Sequence, residues 1–299
     1  MSNDIDVTDL TPAFGAEIRG LRPDQPLDDD DRRALRAAFD DRGVLVFRGL
    51  DIDRPYQVLL AQLVHGEEDL SDESVAAAAA KQDTFYISNK LDGAAAPFGR
   101  LMFHSDMMWS DSPFTVLSLF GEEVGRPVAP TVFASVTTAW DTLPDDLRAR
   151  VEGLEAVQVT GPEGFGDRRK GDQDGDLVQP QRDVELTVTT PIGHRHPRTG
   201  RTLLYVSQGM TKEIVGLAFD EGEALLEELF EHLYAPANLW QHEWQEGDLV
   251  MWDNLAVQHA RPDVSVEGPV RTLRKAGWPI PAWAGETKVL AYEKIEQAG

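Results

Sequence analysis

The sequence predicts a mainly β protein with flanking helices, an antiparallel sandwich or jelly roll, and three observations carry that expectation. Residues 115–120, 131–136, 155–159, 184–189 and 202–206 are short β-branched and apolar runs set between Gly and Pro punctuation. Helical periodicity is confined to a few stretches, so the regular strand–helix alternation of a doubly wound sheet is missing. No internal repeat or composition shift divides the chain, so residues 1–299 read as one domain.

Taken in order, Asp29, Asp30 and Asp31 complement the dipole at the front of a helix over 29–41, where Leu35, Ala38 and Phe39 fall at helical spacing and Gly43 supplies the stop. Val44 to Phe47, bounded by Gly49, is an unbroken apolar run and reads as a buried strand. The alanine pentad 76–80 extends a second helix, and 84–88 is a further strand. Residues 139–151 and 220–232 are helical, the latter with Ala224, Leu225 and Leu229 on a different face from Glu221, Glu223, Glu227 and Glu228. Residues 160–183 are rich in glycine and charge with almost nothing to bury, the composition of a mobile loop of active-site-lid length.

Composition narrows the chemistry. There are 28 Lys plus Arg against 52 Asp plus Glu, a formal charge of −24, which disfavours nucleic acid and anionic membrane surfaces as partners. Zero cysteine excludes thiolate zinc, iron–sulfur clusters, disulfide scaffolds and cysteine nucleophiles together. The 41% hydrophobic and 8% aromatic content is that of a folded globular chain. Met1 to Leu10 has three aspartates and no basic n-region, and no run of about 18 apolar residues occurs, so the expected location is cytoplasmic.

Without cysteine, the seven histidines hold the main potential for metal or acid–base chemistry. His232 and His242 sit in polar surroundings and need no special role. His104 and Asp106 instead interrupt the apolar run Leu101 to Trp109, where burying an imidazole and a carboxylate costs several kcal/mol without compensation. On a strand, residues i and i+2 face the same way about 6.6 Å apart, so both can address one cation. Far along the chain, Glu246 to Arg261 runs from a Gly–Asp turn through an apolar strand to His259. Two histidines and a carboxylate form the facial triad of non-haem Fe(II), which leaves positions open for a cosubstrate and O2; His104, Asp106 and His259 are the proposed ligands. Past the turn at Asp263 to Pro269, strand alternation places Arg271, Leu273 and Lys275 on one face and Thr272 and Arg274 on the other. An inward Arg271 could hold a dicarboxylate cosubstrate bidentately. His194 and His196 also alternate, but no carboxylate lies at comparable spacing. Trp140, Trp240, Trp244 and Trp278 read as core packing.

Together these segments resemble the taurine dioxygenase family of Fe(II)- and 2-oxoglutarate-dependent oxygenases, over nearly the whole chain. Phe14 to Leu21 and Gly43 to Arg48 look like its opening, Phe103-His104-Ser105-Asp106 like its proximal ligand motif, His196 to Arg201 like its central signature, and Trp252-Asp253-Asn254 through His259 like its distal motif. The resemblance implies a double-stranded β-helix core, with His104, Asp106 and His259 as iron ligands. It also implies Arg271 and Thr131 on the distal carboxylate of 2-oxoglutarate, Trp252 packed near the metal, His196 at a structural turn, and a homo-oligomer, dimer or tetramer. The implied reaction consumes 2-oxoglutarate and O2, releases succinate and CO2, and oxidises a substrate C–H bond, usually by hydroxylation. Lys275 stands where taurine-specific members carry an arginine for the sulfonate, and Met210 replaces an aromatic that lines the taurine pocket. The expected substrate is therefore a small anion other than taurine, with Lys275, Met210 and Asn89 lining its pocket. A zinc-type metallohydrolase and a non-catalytic metal-binding jelly roll are the alternatives.

Overall fold

The computed structural model describes residues 3–160, 177–182, 186–281 and 289–295. Two facing sheets form the double-stranded β-helix. The larger runs, in spatial order, Asp6–Asp9, Ala16–Arg19, Val44–Phe47, Leu249–Asp253, Val116–Val124, Arg271–Trp278 and Tyr86–Ser88. Its neighbours are antiparallel except Ala16–Arg19 against Val44–Phe47. The smaller runs Leu239–His242, Thr131–Ser135, Val257–Arg261 and Leu101–His104. Closing the sheets on each other buries both faces of the central strands, which is why Val44–Phe47 is apolar throughout rather than alternating.

The alternation of side chains separates two cores. Val44, Val46, Val250, Trp252, Leu117, Leu119 and Leu273 point between the sheets and meet Phe133 and Val257 from the smaller one. Leu45, Phe47, Leu249 and Met251 point outward, against Leu35, Phe39, Leu60 and Leu63 of two helices. The first, Asp29–Arg42, starts at an Asp28 cap whose carboxylate accepts from the backbone of Asp30 and Asp31, and stops at Gly43 in the left-handed region. The second, Arg54–His65, lies outside the elements expected from sequence. Its signals are an Asp53 cap, Pro55 in the first turn and Gly66 after the last.

Elsewhere the expected 139–151 helix is two, Val136–Asp141 and Asp145–Val151. Pro144 lacks the N–H that a continuous helix needs at that point. Phe219–Leu233 buries Leu225, Leu226, Leu229 and Leu233 against Val136, Ile192, Leu203 and Leu204. The expected strand at 184–189 is Thr187–Pro191, and 202–206 shortens to Thr202–Leu204. Of the expected lid, residues 161–176 and Asp183 lie outside the described residues. Leu177–Arg182 is a strand rather than loop, paired antiparallel with Val289–Ile295 and lying beside Leu101–His104. Among the described residues no helix is long and apolar enough to cross a membrane.

Sheet closure leaves no room for a side chain at Gly277, where a Cβ would lie 2.6 Å from Phe114 and 2.9 Å from Leu117. Gly277→Ala should therefore destabilise the protein by about 1–3 kcal/mol through overpacking. A denaturant midpoint equal to wild type would show that Phe114 yields freely.

Candidate active site

The site begins with one cross-strand pair. Val257–Arg261 and Leu101–His104 are antiparallel neighbours, and their register sets His259 directly opposite His104. Directly opposed residues share a face with Cβ atoms about 5 Å apart, and the two imidazole centroids are 4.2 Å apart. His104 Nδ1 lies 2.7 Å from the Met102 carbonyl. A carbonyl only accepts, so Nδ1 carries the proton and the Nε2 lone pair faces the cavity.

Asp106 does not continue the strand. Leu101–His104 ends one residue after Phe103, and Asp106 opens a turn in which Met107 adopts φ 64°, a left-handed conformation costly for a side chain of this size. The turn is held by Asn254, fully buried at the end of Leu249–Asp253. Asn254 Oδ1 accepts from the Asp106 N–H at 2.8 Å, while its Nδ2 donates to the carbonyls of Asp106 at 2.8 Å and Phe114 at 2.9 Å. So anchored, Asp106 Oδ1 lies 3.3 Å from His104 Nε2 and 3.8 Å from His259 Nε2. One ligand atom from each of the three residues falls within 4.8 Å of the others, the one such group among the described residues.

The electrostatics suit a cation. Burial alone would raise the Asp106 carboxyl, but the Lys275 charge, with smaller contributions from the His104 and His259 side chains, holds it well below the ordinary carboxylate range. Burial, then His104 and Lys275, push His259 well below the usual imidazole value against the pull of Asp106. A carboxylate kept ionised beside the His259 imidazole kept neutral suits the deprotonated donors that a divalent first-row metal requires. Trp252 closes the inner wall, its ring 4.9 Å from His259 and 5.4 Å from Phe133.

On the neighbouring strand Arg271 points inward, as alternation predicts, despite a register irregularity between Thr272 and Leu273. It is 3% exposed, and its Nε donates to the Ala129 carbonyl at 2.9 Å and its Nη2 to Thr131 Oγ1 at 3.2 Å. Burial, then Arg261, lowers its guanidinium well below the ordinary value. No carboxylate of the described residues forms an ion pair with it. Trp244 completes this corner. Its Nε1 donates to Thr131 Oγ1 at 3.0 Å, and Arg271 lies 5.9 Å from its ring centroid. The expectation of plain core packing for Trp244 missed that contact, because nothing in the sequence links an indole at 244 to a hydroxyl at 131.

Arg274 points the other way, to Gln57, Glu122 and the Ile52 carbonyl. His196 does not pair with His194: its Nε2 is 3.0 Å from Asp253 Oδ2 and its Nδ1 accepts from the backbone of Arg198 and Thr199, so it fastens a turn. His194 stacks on Tyr205 instead. Asn89 spends its amide on structure. Its Nδ2 donates to the carbonyls of Ser265 and Pro269, and its Oδ1 accepts from the Arg271 N–H, so it braces the arginine rather than presenting an amide to a substrate. Met210 is half-buried beside Gly209, whose N–H donates to the Phe103 carbonyl at 3.0 Å. Lys275 reaches Asp106 Oδ2 itself, so its anionic partner is the central carboxylate of the triad.

Residues 6–276 match the model of the taurine catabolism dioxygenase TauD, TfdA family. The chain belongs to that family. The dioxygenase is 28% identical over 288 residues to the alpha-ketoglutarate-dependent 2,4-dichlorophenoxyacetate dioxygenase of Cupriavidus pinatubonensis, covering 89% of this chain and 95% of that protein. It is 29% identical over 280 residues to pentalenolactone F synthase of Streptomyces avermitilis, covering 87% and 90%. Its fold matches AAD-2 in complex with Mn(II) and N-oxalylglycine, at a TM-score of 0.69, 24% identity and coverage of 91% and 96%. A taurine dioxygenase from Burkholderia xenovorans superposes at a TM-score of 0.65, with 24% identity over 98% and 96%. The dioxygenase uses 2-oxoglutarate as cosubstrate together with a metal, and neither the metallohydrolase nor the non-catalytic alternative finds support in these matches.

Because Asn254 ties the peptide of Asp106 to the distal motif, Asn254→Ala should cost about 1–3 kcal/mol by stranding buried polar groups, and should weaken Mn(II) binding. Asn254→Asp should do no better, since an oxygen would then face the carbonyls of Asp106 and Phe114. Wild-type metal affinity in both variants would refute the anchoring role.

Proposed function

We propose that this chain is an Fe(II)- and 2-oxoglutarate-dependent dioxygenase that oxidises, most simply by hydroxylation, a C–H bond of a small anionic organic substrate. The observation that carries the reading is the pairing of two incomplete sites. A preformed His–Asp–His donor set lies on the same inner sheet face as Thr131, which holds a buried arginine whose ionic partner is absent from the described side chains. A dicarboxylate with a 2-oxo group answers both needs, its distal carboxylate on Arg271 and Thr131 and its 2-oxo acid end toward the metal.

In this reading Fe(II), held by His104, Asp106 and His259, supplies the activation of O2. The protein's own contribution is positioning and exclusion of water. Arg271 and Thr131 fix the distance of the cosubstrate from the triad. Trp244 orients the Thr131 hydroxyl, Trp252 and Phe133 keep the inner wall dry, and Asn89 sets the backbone of the arginine. Met210, next to the strand of His104, supplies an apolar wall for the body of the substrate. The class of substrate is supported by relatives named for 2,4-dichlorophenoxyacetate and (S)-phenoxypropionate, both small carboxylates with apolar bodies. Met210 and Lys275 at the positions that differ from taurine-specific members argue for a carboxylate over taurine. The family resemblance further supports a homo-oligomer.

The reading is tested by succinate release. Purified protein with Fe(II), 2-oxoglutarate and a panel of small carboxylates, sulfonates and sulfates should form succinate only with O2, and His259→Ala should form none. Succinate formation without O2, or undiminished in His259→Ala, would end the assignment.

The two arginines separate in a second experiment. Arg271→Ala should weaken 2-oxoglutarate by about tenfold or more, since a charge-assisted hydrogen bond is worth roughly 1.5–3 kcal/mol. Arg274→Ala should lower the unfolding midpoint and leave the KM for 2-oxoglutarate near wild type, because its partners Gln57, Glu122 and Ile52 lie outside the cavity. The reverse pattern would place the cosubstrate on the wrong face of the strand.

A further inference from the structure

Lys275 occupies an unusual position for a lysine. It is 8% exposed, its ammonium touches Asp106 Oδ2, and it lies 4.8 Å from the Phe85 ring centroid. Its backbone is held at both ends: the N–H donates to the Phe85 carbonyl at 2.8 Å, and the carbonyl accepts from Arg54 Nη1 at 2.9 Å. The side chain is therefore aimed by the sheet before any ligand arrives.

The two oxygens of Asp106 are differentiated by their neighbours. Oδ1 faces Nε2 of both His104 and His259, at 3.3 and 3.8 Å, whereas Oδ2 is taken by Lys275. We propose that Lys275 is a positioning residue for the metal ligand, holding Oδ2 of Asp106 so that the carboxylate offers the metal one oxygen only, rather than a contact for the anionic group of the substrate. The inference rests on the metal and 2-oxoglutarate reading above and adds to it what the lysine is for.

The consequence concerns open coordination positions. A carboxylate with both oxygens free can chelate and take two positions, one of which a 2-oxo acid needs. Lysine suits the restraint because its ammonium is a point donor that ties one oxygen, whereas the fork of an arginine matches both oxygens of a carboxylate. Charge follows the same logic. With Asp106 neutralised by Lys275 and the distal carboxylate of 2-oxoglutarate by Arg271, the two charges of a divalent metal are met by the 2-oxo acid end and by the substrate. The site thus selects anions through its net charge without the lysine touching them.

Lys275→Met tests this with Mn(II) as the probe, free Mn(II) being read by its electron paramagnetic resonance signal and 2-oxoglutarate binding by calorimetry on Mn(II)-loaded protein. Removing a cation and freeing an oxygen both favour the metal, so Mn(II) should bind as tightly as to wild type or more tightly. With a coordination position lost, 2-oxoglutarate should bind about tenfold more weakly. That opposition of sign is what a merely structural lysine would not produce, since a loosened site loses both ligands together. A 2-oxoglutarate Kd within about twofold of wild type overturns the proposal, and so does weakened Mn(II) binding. If Lys275→Met does not fold, Lys275→Gln, neutral and too short to reach as far, should show the same opposition. Failure of wild type itself to bind Mn(II) or 2-oxoglutarate would instead overturn the functional reading beneath it.

Discussion

The register between Val257–Arg261 and Leu101–His104 is the constraint on which the site depends. One position of slip would turn either His104 or His259 to the opposite face, where Gln258 already bonds to Val206 and Tyr234. The register is enforced from both sides of the smaller sheet. Phe133, opposite His259 on the next strand, is fully buried between the sheets, and Arg261 ties the far end of its strand to the carbonyls of Ala96, Phe98 and Gly99. A metal centre built on directly opposed strand residues inherits the rigidity of the ladder, which is what a site of three protein ligands needs.

Asp106 is the exception, carried on a turn rather than a strand. Its position is fixed by hydrogen bonds that cross the chain: Asn254 on its peptide and Lys275 on its carboxylate. Both partners belong to the distal half, as do His259 and Arg271. The proximal motif contributes the carboxylate, and the distal half decides where it points. Asp253, next to Asn254, is bound in turn by His196 and Arg198. Burial would raise its carboxyl, yet those hydrogen bonds and charges keep it lowered. The central signature thus acts on the site from behind, by holding the turn that presents Asn254.

What could be read from the sequence follows from these same facts. His104, His259, Arg271 and the inward phase of Lys275 are consequences of strand alternation, a local rule that needs only the strands to be recognised. Trp252 and Thr131 follow from the family resemblance, and the structure sets Trp252 4.9 Å from His259 and the Thr131 hydroxyl on Arg271. Asn89 and Lys275 went otherwise, for one reason: each carries a polar group whose partner is remote in sequence, Pro269 for the first and Asp106 for the second, and no periodicity reports a contact between residues 180 or 169 positions apart. Trp244 on Thr131 was hidden in the same way. The helix Arg54–His65 escapes the sequence reading despite its caps, because its buried Gln57 and Gln62 dilute the apolar stripe that usually marks a packed helix.

Three cations of one strand show how the fold sorts charge. Arg274 faces out and finds Glu122; Lys275 faces in and finds Asp106; Arg271 faces in and, among the described residues, donates to the Ala129 carbonyl and the Thr131 hydroxyl but to no carboxylate. Burying a guanidinium with neutral acceptors alone is expensive, and a chain with 52 acidic residues has no shortage of carboxylates to offer it. The position therefore costs stability that packing elsewhere must offset, and an external carboxylate bound there would recover it. Such a residue makes affinity and stability two readings of one quantity: whatever anion satisfies Arg271 should also raise the unfolding temperature of the whole sheet that carries it.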